Sequence, residues 1–209
     1  LSEDTISATW LTQRFEDALV YANRLHALQT RKGTGIPYLS HLLAVAGLVL
    51  ENAGDEDEAI AALLHDAVED QGGQETLSEI RRRFGNRVAN IVEECTDADV
   101  IPKPPWRARK QAYLAHLRHA SASARLVSSA DKLHNARAIL SDYRELGDDL
   151  WKRFNSSKEE NLWYYRSLAD LFLAMGPSRL AAELDRVVAE MEQMLANQTS
   201  TTTAPRWTA

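Results

Sequence analysis

The stretch Leu63-Leu64-His65-Asp66-Ala67-Val68-Glu69-Asp70 constrains this chain more than any other. It sets four ionisable side chains at the end of an apolar run, residues 59–64. At 3.6 residues per helical turn, His65 falls beside Glu69 and Asp66 beside Asp70. Three carboxylates so close repel one another unless a positive charge intervenes. A divalent metal would relieve that repulsion by accepting His65 and Asp66 as ligands, leaving Glu69 and Asp70 to handle water and protons. The competing reading is a solvated acidic helix end. Residues 59–64 are too apolar for a surface helix, so the acids are expected to enter a cleft instead.

Two more positions extend the set. His41 precedes His65 by 24 residues, on the helix opened by Pro37-Tyr38-Leu39-Ser40. Asp131 follows Asp66 by 65 residues, within Ser129-Ala130-Asp131-Lys132-Leu133-His134-Asn135-Ala136-Arg137. A His, His-Asp and Asp set drawn from three helices has the ligand types of a nitrogen/oxygen site for Mn²⁺, Fe²⁺ or Zn²⁺.

Periodicity and punctuation indicate an all-α fold. Helices are expected within 7–30, from a Ser40 cap to Gly54, over 59–70 behind an Asp55/Glu58 capping box, and behind a Thr76/Glu79 box to Phe84-Gly85. Others are expected over 88–95, 106–119, 122–140, 156–175 and 177–196, with a proline-broken loop at 97–105. No segment has strand period. Residues 1–196 are expected to form one compact multi-helix domain, and the Thr-rich residues 197–209 a disordered tail. The 24 basic and 30 acidic residues give a net charge of −6, which argues against a nucleic-acid-coating surface. The longest apolar run, 42–50, is too short for a membrane span, and the acidic N-terminus lacks signal-peptide features, so a cytoplasmic setting is expected. The one cysteine, Cys95, is expected to be a packed thiol.

In this acidic chain, Lys103, Arg107, Arg109 and Lys110, interleaved with Trp106 and Tyr113, form a local basic cluster. It reads either as a rim for a polyphosphate or as an ordinary solvent-facing loop. Lys158 with Trp163, Tyr164 and Tyr165 reads either as the other wall of the pocket or, for the aromatics, as core. His116 and His119 are expected at the surface.

Four motifs in order, His26-x-x-Gln29-x-Arg31-Lys32, Gly35-Ile36-Pro37-Tyr38-x-x-His41, His65-Asp66-x-x-Glu69-Asp70 and Ala130-Asp131-Lys132-Leu133-His134-Asn135-x-Arg137, resemble the HD-domain phosphohydrolases. The resemblance is to the branch of the RelA/SpoT-type (p)ppGpp hydrolase domains and the small alarmone hydrolases, and it covers about residues 22–137. It implies a compact helical HD-domain bundle in which His41, His65, Asp66 and Asp131 bind one Mn²⁺ per chain, other divalent metals being possible. By the same resemblance Glu69 and Asp70 position and deprotonate water, and Arg31, Lys32, Asn135 and Lys158 contact the nucleotide; Lys110, from the basic cluster, is expected to join them. His26 and His134 would orient ligands or pack. The implied reaction removes the 3′-pyrophosphate of (p)ppGpp, giving GDP or GTP plus pyrophosphate. The alternatives are an HD-fold phosphohydrolase of (p)ppApp or NADPH, or a helical module that senses a nucleotide without hydrolysing it. A synthetase domain is not expected at this length.

Overall fold

The computed structural model describes residues 9–97 and 104–201, with side chains as far as residue 196. The chain groups into two compact units, Leu1–Asp131 and Lys132–Ala209. Among the described residues the regular structure is helical, and the one β-bridge, Thr30 to Pro37, is isolated.

The first unit is organised around α3 (Glu56–Leu64), which packs against α1 (Gln13–Leu25), α2 (Leu39–Glu51) and α6 (Asn86–Cys95). Residues 59–64 of α3 are all fully buried, as their composition requires. Each leucine so enclosed contributes about 2–3 kcal/mol of burial. The expected capping box is present: Asp55 accepts from the Glu58 N–H at 3.0 Å, and Glu58 accepts from the Asp55 N–H at 2.8 Å. The turn from α2 to α3 needs Gly54. A Cβ there would stand 2.4 Å from Val49 Cγ1 and 2.9 Å from Val49 O.

After α3 come the single turn α4 (Ala67–Asp70), α5 (Gly73–Phe84), α6, α7 (Trp106–Leu117) and the first part of α8 (Ala122–Leu146). The second unit holds the rest of α8, a 3₁₀ helix at Gly147–Arg153, α9 (Lys158–Ala174) and α10 (Arg179–Thr201), with α9 packed on α10.

Several expected boundaries move. α1 ends at Leu25, before the turn that the Thr30–Pro37 bridge closes. α2 starts at Leu39, so Ser40 lies inside the helix and does not cap it. Thr76 caps nothing either. α5 begins three residues earlier, Thr76 Oγ1 donates back to Gln71 O at 2.6 Å, and Glu79 binds Arg82 and Arg83. α10 continues to Thr201, so residues 197–201, expected to be disordered, are helical. The rest of the expected tail, 202–209, and Lys103 lie outside the described residues.

Candidate metal centre and its polar surround

The helix expected over 59–70 breaks at the His-Asp pair. α3 stops at Leu64, and Asp66 takes φ −95° and ψ −2° before α4 resumes. That sparsely allowed conformation is frequent at active sites. It turns the Asp66 carboxylate out of the helical stripe while its carbonyl still accepts the Asp70 N–H at 3.0 Å.

Three structural origins then meet. His41 comes from the first turns of α2, His65 and Asp66 from the α3–α4 turn, and Asp131 from α8. His41 Nε2 lies 3.6 Å from Asp66 Oδ2 and 3.2 Å from Asp131 Oδ1. His65 Nε2 lies 3.0 Å from Asp66 Oδ2 and 3.6 Å from Asp131 Oδ1. Ligands held about 2.0–2.2 Å from one ion stand about 2.8–3.6 Å apart at octahedral to tetrahedral angles, which brackets all four separations. His41, His65 and Asp66 each offer a ligand atom within 4.8 Å of the others.

The histidines are oriented for this. His65 Nδ1 lies 2.8 Å from Ala62 O, so Nδ1–H donates there and Nε2, the nitrogen left to take a proton or a metal, faces inward. Nε2 is buried and makes no well-directed hydrogen bond. Burial works against charging His65, yet the Asp66 and Asp131 carboxylates prevail and hold its pKa well above the usual histidine value. Burial likewise opposes ionisation of Asp66, but His65 and His41 hold its carboxyl well below the usual range. The cluster therefore draws in positive charge, as a proton or as a cation. The donor set and its spacing fit a divalent metal.

Around this cluster the two remaining acids part company. Glu69 faces α7, with Oε1 3.9 Å from Arg109 Nη1. Arg109 also binds Asp97, and Lys110 Nζ reaches Asp97 Oδ2 at 2.5 Å. Asp70 turns the other way and accepts from Gln29 Nε2 at 2.8 Å. Partial burial and the neighbouring Asp66 charge raise its pKa above the ordinary carboxylate value, against the Gln29 hydrogen bond. Tyr38 donates its hydroxyl to Asp66 Oδ2 at 2.5 Å and stacks its ring on His26, centroids 5.3 Å apart.

The other expected contacts are dispersed. Arg31, half-buried, and Lys32, exposed, ride the turn between Thr30 and Pro37, braced by Arg31 N–H to Ile36 O at 2.8 Å. Arg107 is exposed, whereas Tyr113 is core and donates to Ser128 Oγ at 3.0 Å. In the second unit, Asn135 is half-buried on α8, and Lys158 binds Asp148 at 2.8 Å beside the Tyr143 ring. Tyr164 and Tyr165 are buried. His116 and His119 are exposed, and Cys95 is a packed thiol against Ala124 O and Ser128. Tyr38, Gln29, Gln71 and Asp97 escaped the sequence reading as site residues. Tyr38 and Gln29 stood inside the motifs, but only the folded turn shows what they touch.

An HD domain model matches residues 18–157, across the boundary between the two units. The chain is 43% identical over 126 residues to the guanosine-3′,5′-bis(diphosphate) 3′-pyrophosphohydrolase MESH1 of Xenopus tropicalis, covering 59% of this chain and 68% of the relative. It is 41% identical over 126 residues to the human protein of that name, with the same coverage. Among solved structures, it superposes with TM-score 0.72 on a metazoan SpoT ortholog that hydrolyses ppGpp and plays a role in starvation responses. That match has 26% identity and covers 88% of this chain and 98% of the other.

Proposed function

The chain belongs to the HD-domain family, and from that premise we propose that it is a metal-dependent 3′-pyrophosphohydrolase of (p)ppGpp. The observation that carries the reading is the meeting of two imidazoles and two carboxylates at 3.0–3.6 Å, with Glu69 and Asp70 one turn away. A non-catalytic nucleotide sensor has no need of that full set. The family match crossing the unit boundary supports one HD-type hydrolase domain over residues 1–196, with 197–209 as a C-terminal appendage. The acidic balance supports an enzyme that takes a small nucleotide and not a nucleic acid.

His41, His65, Asp66 and Asp131 would hold one divalent ion, in this reading Mn²⁺. Bound there, it would neutralise charge at phosphorus and acidify water. The chain's own groups do the rest. Asp70, with its raised pKa, is suited to take a proton from the attacking water, and Glu69, steadied by Arg109, to orient that water. A bond forms between the water oxygen and phosphorus as the bond to the 3′-oxygen breaks, and the proton taken up by Asp70 passes to the departing oxygen, which leaves as the 3′-hydroxyl. Products are GDP or GTP and pyrophosphate. Arg31, Lys32, Lys110, Asn135 and Lys158 would contact the nucleotide, the cations offsetting its phosphate charge.

The test is to incubate the purified chain with Mn²⁺, and in parallel with Mg²⁺ or Zn²⁺, and ppGpp, pppGpp, ppApp or NADPH. Pyrophosphate release from the guanosine substrates supports the reading. Activity confined to ppApp, or monophosphate release from NADPH alone, would move the enzyme to another HD-fold phosphohydrolase class.

A further inference from the structure

Gln29 joins the turn that carries Arg31 and Lys32 to the acid at the end of α4. Its main chain anchors both ends of that turn: its N–H donates to His26 O at 3.0 Å, and its carbonyl accepts the Tyr38 N–H at 2.9 Å. Its side chain has only one workable orientation. Asp70, when ionised, can only accept, so the group 2.8 Å from Asp70 Oδ2 must be the Gln29 amide nitrogen. The Gln29 amide oxygen then faces Gln71 Nε2 at 2.5 Å and His26 Nδ1 at 2.7 Å, and both must donate to it. His26 is 2% exposed and is held against the Tyr38 ring, so the donor behind Gln29 is itself fixed. Two donors lock one end of the amide, and the other end is aimed at the carboxylate.

We propose that Gln29 is a positioning residue for Asp70, fixing the direction of its carboxylate at the end of α4 through the His26–Gln29–Asp70 and Gln71–Gln29–Asp70 contacts. The inference rests on the role given to Asp70 above. It also ties the seating of the Arg31–Lys32 turn to the posture of the acid, since one residue serves both. A plain structural tie would hold the turn alone. Loosening such a tie would raise KM and leave kcat unchanged, whereas loosening Asp70 lowers kcat.

The test uses Gln29→Met, close in shape and without polar atoms, in the full chain. We expect kcat for ppGpp to fall about ten-fold or more, with KM and Mn²⁺ affinity by calorimetry each within about three-fold of wild type. A crystal structure of Gln29→Met should show the Asp70 carboxylate displaced from its wild-type place, while the Arg31–Lys32 turn keeps its main-chain hydrogen bonds to His26 and Tyr38. Gln71→Met, which removes one of the two locking donors, should move kcat the same way by a smaller factor, and it serves if Gln29→Met does not fold. A kcat within two-fold of wild type, a KM rise at constant kcat, or loss of Mn²⁺ affinity along with kcat would overturn the proposal. So would an undisplaced Asp70 carboxylate, whatever the substrate proves to be. If instead wild type released no pyrophosphate while the carboxylate moved in Gln29→Met, the functional reading would fail and the Gln29–Asp70 contact would stand.

Discussion

The four candidate metal donors and the five candidate nucleotide contacts are built in opposite ways. His41, His65 and Asp131 are buried, and Asp66, partly covered, takes a hydroxyl donor from Tyr38. Their positions are set by helices and by the α3–α4 turn. The cations are long, partly or fully exposed, and occupied nearby: Lys110 with Asp97 and Lys158 with Asp148. Charges that must meet an ion in a dry place are arranged before it arrives, because leaving them uncompensated there is costly. Charges that meet phosphate at a wet surface can keep interim partners, since exposed pairs are worth only about 0–1 kcal/mol. Metal binding should therefore depend steeply on single residues, and nucleotide binding shallowly.

The sharpest break in that contrast comes from Asp66→Ala. It removes a carboxylate that faces both His41 and His65. Calorimetry should show no Mn²⁺ binding, and pyrophosphate release should fall below detection. Retention of either at wild-type level would remove the proposed centre. Next in size is Glu69→Ala, which leaves all four donors in place. Metal affinity should stay within a few-fold while kcat falls about 10²–10⁴-fold, the usual span for a lost proton-handling group. A parallel loss of metal would make Glu69 a ligand and redraw the set.

The same contrast governs what could be read from residues alone. The candidate donors were legible as a set because a His-Asp pair behind an apolar run, with an upstream His and a downstream Asp, is a pattern of residue types. The all-α class was legible for a similar reason, since long apolar periodicity with sparse glycine and proline survives small errors in boundaries. The break at His65-Asp66 was not, because the helical period of residues 59–70 continues across it and only the Asp66 dihedral angles interrupt the helix. Nor was the parting of Glu69 and Asp70, which depends on Arg109, 40 residues after Glu69, and on Gln29, 41 residues before Asp70. The Thr76/Glu79 pair mimicked a capping box because Thr and Glu also serve inside a helix, where Thr76 binds back to Gln71 and Glu79 binds two arginines.

A gentler probe is Tyr38→Phe, which keeps the ring stacked on His26 and removes only the hydroxyl on Asp66. Groups that orient a metal ligand typically govern about 10–100-fold in metal affinity. Mn²⁺ should bind that much more weakly, with kcat largely recovered at saturating metal. An unchanged Mn²⁺ titration would show that Asp66 is held well enough by the α3–α4 turn alone.

The smallest effect is expected at Lys158→Ala. In the free chain the Lys158 ammonium is bound to Asp148 and lies 5.9 Å from the centre of the Tyr143 ring. To meet a phosphate it must give up part of that arrangement, so the net gain is the difference between two exposed ion pairs, each worth about 0–1 kcal/mol. KM for ppGpp should rise about two- to five-fold, with kcat and Mn²⁺ affinity unchanged. The rise should shrink further at high salt, where an exposed pair is screened. A loss of more than ten-fold in kcat would place Lys158 among the groups that act in the transition state. The division between a prearranged centre and an adaptable rim would then not hold in the second unit.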